Sequence, residues 1–321
     1  MQKLLLLVGL CVLVAHLEAT CPRKLVCTFQ SIPNLNTANL NNFNMASHME
    51  PELCTHIVFK SVQPDNAMVI PSSGGPIQDH HNFNLAFPSA TAKTLLEVDL
   101  TQTSSAIFAP LNMATFNTSV INVVDAAGFD GVNILWSQSH ENEQDKIGFT
   151  ALMQELNAAL EEMPGTRLLT ASVSGVPSDI DYSYEVPQLA LVVDFFNVMT
   201  ADLDRTSTPG QFAAAIAGMQ KLVAKDAPKA KLNMGIATYG FDTNNANPKI
   251  WAKYQACVAP ASSSTVRVDS AATIDAKAQH VVDEEFGGAF MTSLQLDDFD
   301  GVACAAGPFP VIQRVKDVVC P

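Results

Sequence analysis

Residues 130–137 read Asp-Gly-Val-Asn-Ile-Leu-Trp-Ser. A β-strand sends alternate side chains to opposite faces, so Asn133, Leu135 and Ser137 share one face. That face has the layout of a catalytic strand without its acids. The Asn133 amide can hydrogen-bond, Leu135 carries neither charge nor hydrogen-bonding group, and the Ser137 hydroxyl stays protonated near neutral pH. Ser137 as a nucleophile would need an activating base and a glycine elbow, and no His is placed by sequence to serve it. Carboxylates occur elsewhere: Glu97 and Asp99 share a face of TLLEVDL, and Asp202 follows a later apolar run. Brought together, these three would bind a cation or run acid–base chemistry. The expectation favoured over that is salt bridging to Lys or Arg, or a solvated rim. The histidines at 48, 56, 80, 81, 140 and 280 show no metal-ligand spacing, so neither a metal nor a cofactor is expected.

The elements that must position these groups are legible as apolar runs. They begin near Lys24, His56, Thr94, Val132, Leu168, Asp194, Lys231 and Gly288. Helical patterns lie between several of them. In 145–162 the residues Ile147, Leu152, Leu156 and Leu160 fall along one face, and Pro164-Gly165 stops the pattern. Residues 211–225 repeat it with Phe212, Ile216, Met219 and Val223, and 274–286 is a third case. Strand and helix in alternation imply parallel strands joined by crossovers, and eight such runs predict an α/β fold, a (β/α)8 barrel, as a single domain over 20–321. No glycine-rich phosphate loop follows an early strand, as an open dinucleotide-binding sheet would require, and Gly74-Gly75 reads as a turn.

Residues 1–19 carry an early Lys3, an apolar run from Leu4 to Ala15 and a small Ala19, the pattern of a secretory signal peptide. The chain has seven cysteines, and Cys11 falls in that leader; the other six, an even number in a secreted chain, point to disulfides. The net charge of −14 makes nucleic acid and anionic membranes poor partners, and no later segment is long and apolar enough to insert in a bilayer. Asn117-Thr118-Ser119 is an N-glycosylation sequon.

Several stretches together resemble glycoside hydrolase family 18, the chitinases and chitinase-like proteins. They are KLVC, LCTHIVF, GFDGVNILW, YEVPQLALVVDFFNVMTADL, KLNMGIATYG, IWAKYQACV, DAKAQHVVDEEFGGAF and LQLDDFDGVAC, in the family's order along nearly all of residues 20–321. The resemblance implies a disulfide between Cys27 and Cys54 and another between Cys257 and Cys304. Cys21 and Cys320 are left for each other, and a bridge between the termini suits a barrel whose first and last strands are neighbours. The family's strand-four pattern is D-G-x-D-x-D-x-E, in which the Glu protonates the leaving oxygen and the substrate's acetamido group attacks. Here only Asp130 at the strand entrance is kept, and the three inward positions are Asn133, Leu135 and Ser137. Sugar-stacking positions differ too: the family's Tyr and Trp on strands six and eight correspond to Ala201 and Thr292, and the Tyr after the catalytic Glu to Gln138. Met199 and Asp202 are retained around Ala201. Trp251 lies in a stretch that the resemblance makes helical and structural, as it makes Asp297-Asp298 structural. The small α+β insertion after strand seven is expected to be shortened or absent.

The expected function is therefore a secreted, non-hydrolytic chitinase-like protein. Its ligand, a small molecule or a carbohydrate, would sit at the C-terminal mouth of the barrel. Asn133, Leu135, Ser137, Met199, Ala201, Asp202, Thr292, Glu97, Asp99 and Tyr239 are the candidate lining. Large-to-small replacements at 137, 201 and 292 would widen that mouth. The alternatives are an extracellular protein with a growth-factor-like, defence or storage role and no open site, a surviving lectin, and an enzyme rebuilt on Glu97, Asp99 and Asp202.

Overall fold

The computed structural model describes residues 21–31, 43–203, 208–242, 250–259 and 265–321. The leader expected over 1–19 lies outside the described residues. Among the described residues, eleven strands occur in the order β1 (Lys24–Phe29), β2 (His56–Val62), β3 (Lys93–Asp99), β4 (Gly131–Leu135), β5 (Leu168–Ser174), β6 (Phe195–Met199), β7 (Leu232–Ala237), β8 (Tyr239–Asp242), β9 (Ile250–Ala252), β10 (Val266–Arg267) and β11 (Gly288–Thr292). The helices are α1 (Met45–His48), α2 (Gly75–Ala86), α3 (Pro110–Ala127), α4 (Glu143–Glu161), α5 (Pro177–Ser183), α6 (Val186–Val192), α7 (Thr208–Ala224), α8 (Lys253–Cys257), α9 (Ala271–Asp283) and α10 (Pro310–Val319). Strands β1 to β7 and β11 close a barrel in the order β1-β11-β7-β6-β5-β4-β3-β2. Every neighbouring pair in it is parallel. The eight expected runs are these eight staves. Strands β8, β9 and β10 form a separate three-stranded sheet after β7.

The strands divide their apolar residues by the period of two. Leu25, Ile57, Leu96, Val132 and Val198 face outward and join the large core under the helices. Val26, Val58, Leu95, Phe195 and Phe290 face inward and form a separate plug within the barrel, against which Leu168 and Met199 pack. Aspartates tie strand entrances together. Asp130 accepts from the Thr94 backbone N–H at 2.8 Å and pairs with Lys93 Nζ at 2.9 Å. Asp194 accepts from the Leu169 N–H at 2.8 Å. Burial opposes ionisation of Asp130, but the Lys93 ammonium and the Thr94 donors outweigh it and hold the carboxyl below its ordinary range.

Disulfides join Cys21 to Cys320, Cys27 to Cys54 and Cys257 to Cys304, the pairs the resemblance implied. Asp297 is fully buried, and its Oδ2 accepts from the Val311 and Ile312 N–H groups at 3.0 Å each, which anchors the first turn of α10. Asp298 Oδ2 accepts from the Cys304 N–H at 2.7 Å. Both aspartates are thus structural.

Three local expectations are corrected. In α4 the apolar face is built by Phe149, Leu152, Leu156 and Leu160, while Ile147 stands 45 % exposed. The core is met first by Phe149, which stacks on Trp136 at 4.5 Å, and so the helix is rotated away from Ile147. Trp251 lies on β9, not on a helix, and pairs with Gly240 across the small sheet. The sequon residue Asn117 is not at the surface. It sits midway along α3 at 6 % exposure, and its Oδ1 is buried without a hydrogen-bond partner. A glycan needs an exit into solvent, and Asn117 has little exposed surface to provide one. Protein made in a glycosylating eukaryotic cell is therefore expected to keep its mobility and intact mass after peptide-N-glycosidase treatment; a mass loss at Asn117 would contradict this.

His80 provides a second prediction. Its ring is 1 % exposed, stacks on Phe129 at 3.8 Å and shares Nε2 with Thr94 Oγ1 at 3.0 Å. Burial, opposed in part by Asp130 and aided by His81, lowers its pKa to about 4. An unfolded His titrates near 6.5, so between these values the unfolded chain binds the extra proton. The stabilisation is full above pH 6.5 and is lost as pH falls through about 4. The loss from this group amounts to about 3 kcal/mol. Urea unfolding between pH 7 and 4 should show it, and His80→Phe should make that acid limb shallower, while His56, whose pKa burial also lowers to about 4, keeps its share. An equal acid limb in the variant would remove His80 as its cause.

Candidate functional site

The site expected at the C-terminal mouth is built by the ends of β3, β4, β6 and β11 and by the turns that leave them. Its most constrained member is Asn133, which has no exposed surface. Asn133 Nδ2 donates to Glu97 Oε2 at 3.0 Å and to Ser172 Oγ at 2.8 Å. Its Oδ1 accepts from Thr170 Oγ1 at 2.8 Å and from Asn197 Nδ2 at 3.1 Å. Asn197 Oδ1 in turn accepts from Asn233 Nδ2 at 3.2 Å. Five consecutive staves, β3 to β7, are thus linked by side-chain hydrogen bonds inside the barrel.

Glu97 is also fully buried. Its Oε1 makes no hydrogen bond and faces Lys60 Nζ at 3.5 Å, a loose ion pair in which the lysine side chain is 29 % exposed. Burial pushes the Glu97 carboxyl above its ordinary range; Lys60 and the Asn133 donor oppose this, and the nearby Asp99 charge adds to it. Asp99 is engaged in its own turn: Oδ1 accepts from the Thr101 N–H at 2.8 Å and from Thr101 Oγ1 at 2.6 Å, and Oδ2 from Gln63 at 3.2 Å. Among the described residues, no group of three or more His, Cys, Asp or Glu is placed to hold a metal ion.

The other candidates sit higher or at the rim. Leu135 is 8 % and Ala201 4 % exposed. Ser137, Met199, Asp202, Thr292, Asp99 and Tyr239 are half-buried. Met199 packs on the inner apolar plug, of which Phe290 is a member. Thr292 Oγ1 is buried without a partner, while its carbonyl accepts from the Thr238 N–H at 2.9 Å. Trp136 turns away from the mouth, edge-on to Phe108 and stacked on Phe149. Its carbonyl accepts from the Tyr184 hydroxyl at 2.5 Å. Gln138 is held by the Tyr182 and Asn142 carbonyls, to which Nε2 donates at 3.0 and 3.3 Å.

Two features were not anticipated from sequence. Lys60 is one; a lone Lys in HIVFKSV gives no sign that it meets Glu97. The other is a buried ion pair between Lys277 Nζ and Asp269 Oδ2 at 2.5 Å, with Lys277 fully buried. Lys277 also donates to Gln211 Oε1 at 3.1 Å, and the Gln211 amide donates to the Ala201 carbonyl. This chain fixes the turn after β6 from behind, starting from the segment beside β10.

A closed parallel barrel whose strand ends converge on one mouth places the molecule among the (β/α)8 barrels. The chain belongs to the glycosyl hydrolases family 18, whose model matches residues 26–297. It is similar to human oviduct-specific glycoprotein, with 28 % identity across 99 % of this chain. It spans 56 % of that relative's length. Among solved structures it is similar to a chitinase from Trichuris suis described as immunomodulatory, at a TM-score of 0.78 and 20 % identity, covering 92 % of this chain and 100 % of the other. It is also similar to human YKL-39, described as a pseudo-chitinase with retained chitooligosaccharide binding, at a TM-score of 0.75 and 22 % identity, covering 92 % of this chain and 99 % of the other.

The Asn133 node generates a stability prediction. Asn133→Leu leaves Glu97 Oε2, Ser172, Thr170 and Asn197 without their shared partner in a buried site. The expected loss is about 3–5 kcal/mol, read by urea unfolding. Asn133→Asp should lose a similar amount at neutral pH, because it places a second carboxylate against Glu97 and removes the two donors. A loss below about 1 kcal/mol in both variants would show that the network reorganises at little cost.

Proposed function

We propose that this chain is a secreted, non-hydrolytic chitinase-like protein that binds a ligand, a small molecule or a carbohydrate, at the C-terminal mouth of its barrel. The observation that carries the reading is the engagement of the strand carboxylates by the protein itself. Glu97 is buried against Asn133 and Lys60, Asp99 closes its own turn, and Asp130 pins the entrance of β4 to β3. By the family resemblance the general acid would stand at Ser137, whose hydroxyl cannot fill that role. Relatives described as pseudo-chitinases support a family role without hydrolysis. Secretion is supported by the three disulfides, which persist in oxidising compartments.

The ligand in this reading rests on the half-buried rim: Ser137, Asp202, Thr292, Tyr239, Met199 and Asp99. Glu97 and Asn133 lie beneath, and act on a ligand only through the side chains above them. A second reading, a protein-interaction role without an open site, is favoured by the low exposure of two lining candidates, Leu135 at 8 % and Ala201 at 4 %.

Purified protein is expected to release no chromophore from a chromogenic chitooligosaccharide, and Ser137→Glu alone should not restore release. Hydrolysis abolished by Glu97→Gln or Asp202→Asn would replace the proposal with a rebuilt enzyme. Native mass spectrometry of protein from its source should show a retained small molecule or oligosaccharide; a copurifying protein with no small ligand would favour the second reading.

A further inference from the structure

The three disulfides differ sharply in access. Cys27 and Cys54 are buried, at 0 and 4 % exposure, within the core. Cys21 and Cys320 are both half-buried where the two ends of the barrel chain meet. Cys257 is exposed at the end of α8, and its partner Cys304 is half-buried. Its surroundings are open as well: Val258 is 66 % and Val302 76 % exposed, and residues 305–308 are all exposed.

We propose that the Cys257–Cys304 bridge is a thiol-exchange site, at which a small-molecule thiol becomes attached to Cys257. Exchange begins when a thiolate attacks one sulfur of a disulfide, and both access and the choice of sulfur govern its rate. Exposure selects Cys257 as the sulfur attacked. A new S–S bond forms between the incoming sulfur and Cys257 Sγ while the Cys257–Cys304 bond breaks. The electron pair of the broken bond leaves on Cys304 Sγ, which then takes a proton from water. The products are a mixed disulfide at Cys257 and a thiol at Cys304, and the number of disulfide bonds is unchanged.

The position gives the exchange a structural consequence. The bridge ties α8, which follows β9 of the small sheet, to the loop after β11. That loop is held in an unfavourable backbone conformation, with non-glycine residues Ala305 at φ 53° and Phe309 at φ 51°. With the bridge open, the Asp298 carboxylate on the Cys304 N–H remains as a local tether. The small sheet, whose first residue Tyr239 reaches the mouth, loses its covalent link to that loop. Exchange at Cys257 would therefore loosen one side of the rim while the staves stay closed.

The test uses the native protein and reduced glutathione in mildly alkaline buffer. Free thiols are capped with N-ethylmaleimide, the adducts are mapped by peptide mass spectrometry, and far-UV circular dichroism follows the fold. The expected result is glutathione on Cys257 and N-ethylmaleimide on Cys304 while the dichroism is unchanged. The Cys27–Cys54 and Cys21–Cys320 bridges should open at least about tenfold more slowly. Glutathione on Cys304, earlier opening of either other bridge, or no opening before the fold is lost would each overturn the proposal. As a second arm, Cys304→Ser leaves Cys257 as a free thiol, which glutathione disulfide should cap in the folded variant. A folded variant that resists capping would show that Cys257 is not accessible, and a variant that fails to fold leaves the first arm to decide.

Discussion

Asn133 meets four partners in a barrel interior where none of them has exposed surface beyond 2 %. A side-chain amide has two N–H bonds and two carbonyl lone pairs, and here all of them are used. The amide therefore fixes what its neighbours can be. Glu97 accepts one of its N–H groups, which an aspartate at 133 could not supply. Two carboxylates at this distance would force one to hold a proton. The amide on β4 and the carboxyl on β3 are thus complementary. Asn197 and Asn233 extend the same logic across β6 and β7, each amide donating toward Glu97.

This network accounts for polar residues in the centre of the barrel, where Glu97, Asn133, Thr170, Ser172, Asn197 and Asn233 bond to one another. Below it lies a plug of Val, Leu and Phe side chains, on which Met199 rests. Above it, Leu135 and Ala201 interpose apolar surface between the network and solvent. A buried carboxyl in that position is raised toward its neutral form, but a general acid must also reach the atom it protonates. Glu97 is raised in this way and has no exposed surface.

The staves were legible because their physics is local. Eight runs with the period of two, separated by amphipathic helices, leave few alternatives to a closed parallel barrel. Asn133 was legible as an inward residue for the same reason. Its partners were not, because hydrogen bonds between β3, β4, β5 and β6 join residues 36 to 64 positions apart. Ile147 shows the limit of helical periodicity: a face of apolar residues defines a stripe, and the stack of Phe149 on Trp136 decides which edge of the stripe meets the core. Asn117 shows the limit of a motif, since three residues specify a reaction site but not its burial. The disulfide pairs came through resemblance; six cysteines alone allow 15 pairings.

The turns at the mouth are tied by residues that lie outside the barrel. The Trp136 carbonyl is held by Tyr184, Gln138 by the turn around Tyr182, and the Ala201 carbonyl by Gln211, itself held by Lys277 and Asp269. At the opposite end, Asp130 and Asp194 fix strand entrances with backbone donors. Neither set passes through Ser137 or Thr292. Ser137 lies just beyond the end of β4, and Thr292 is the last paired residue of β11. A buried ion pair such as Lys277–Asp269 is seldom the most stabilising choice for its volume, and its best-attested use is to define one arrangement among several. Here that arrangement is the turn after β6 relative to the small sheet. The turns at the mouth are therefore held in place by residues that lie behind them.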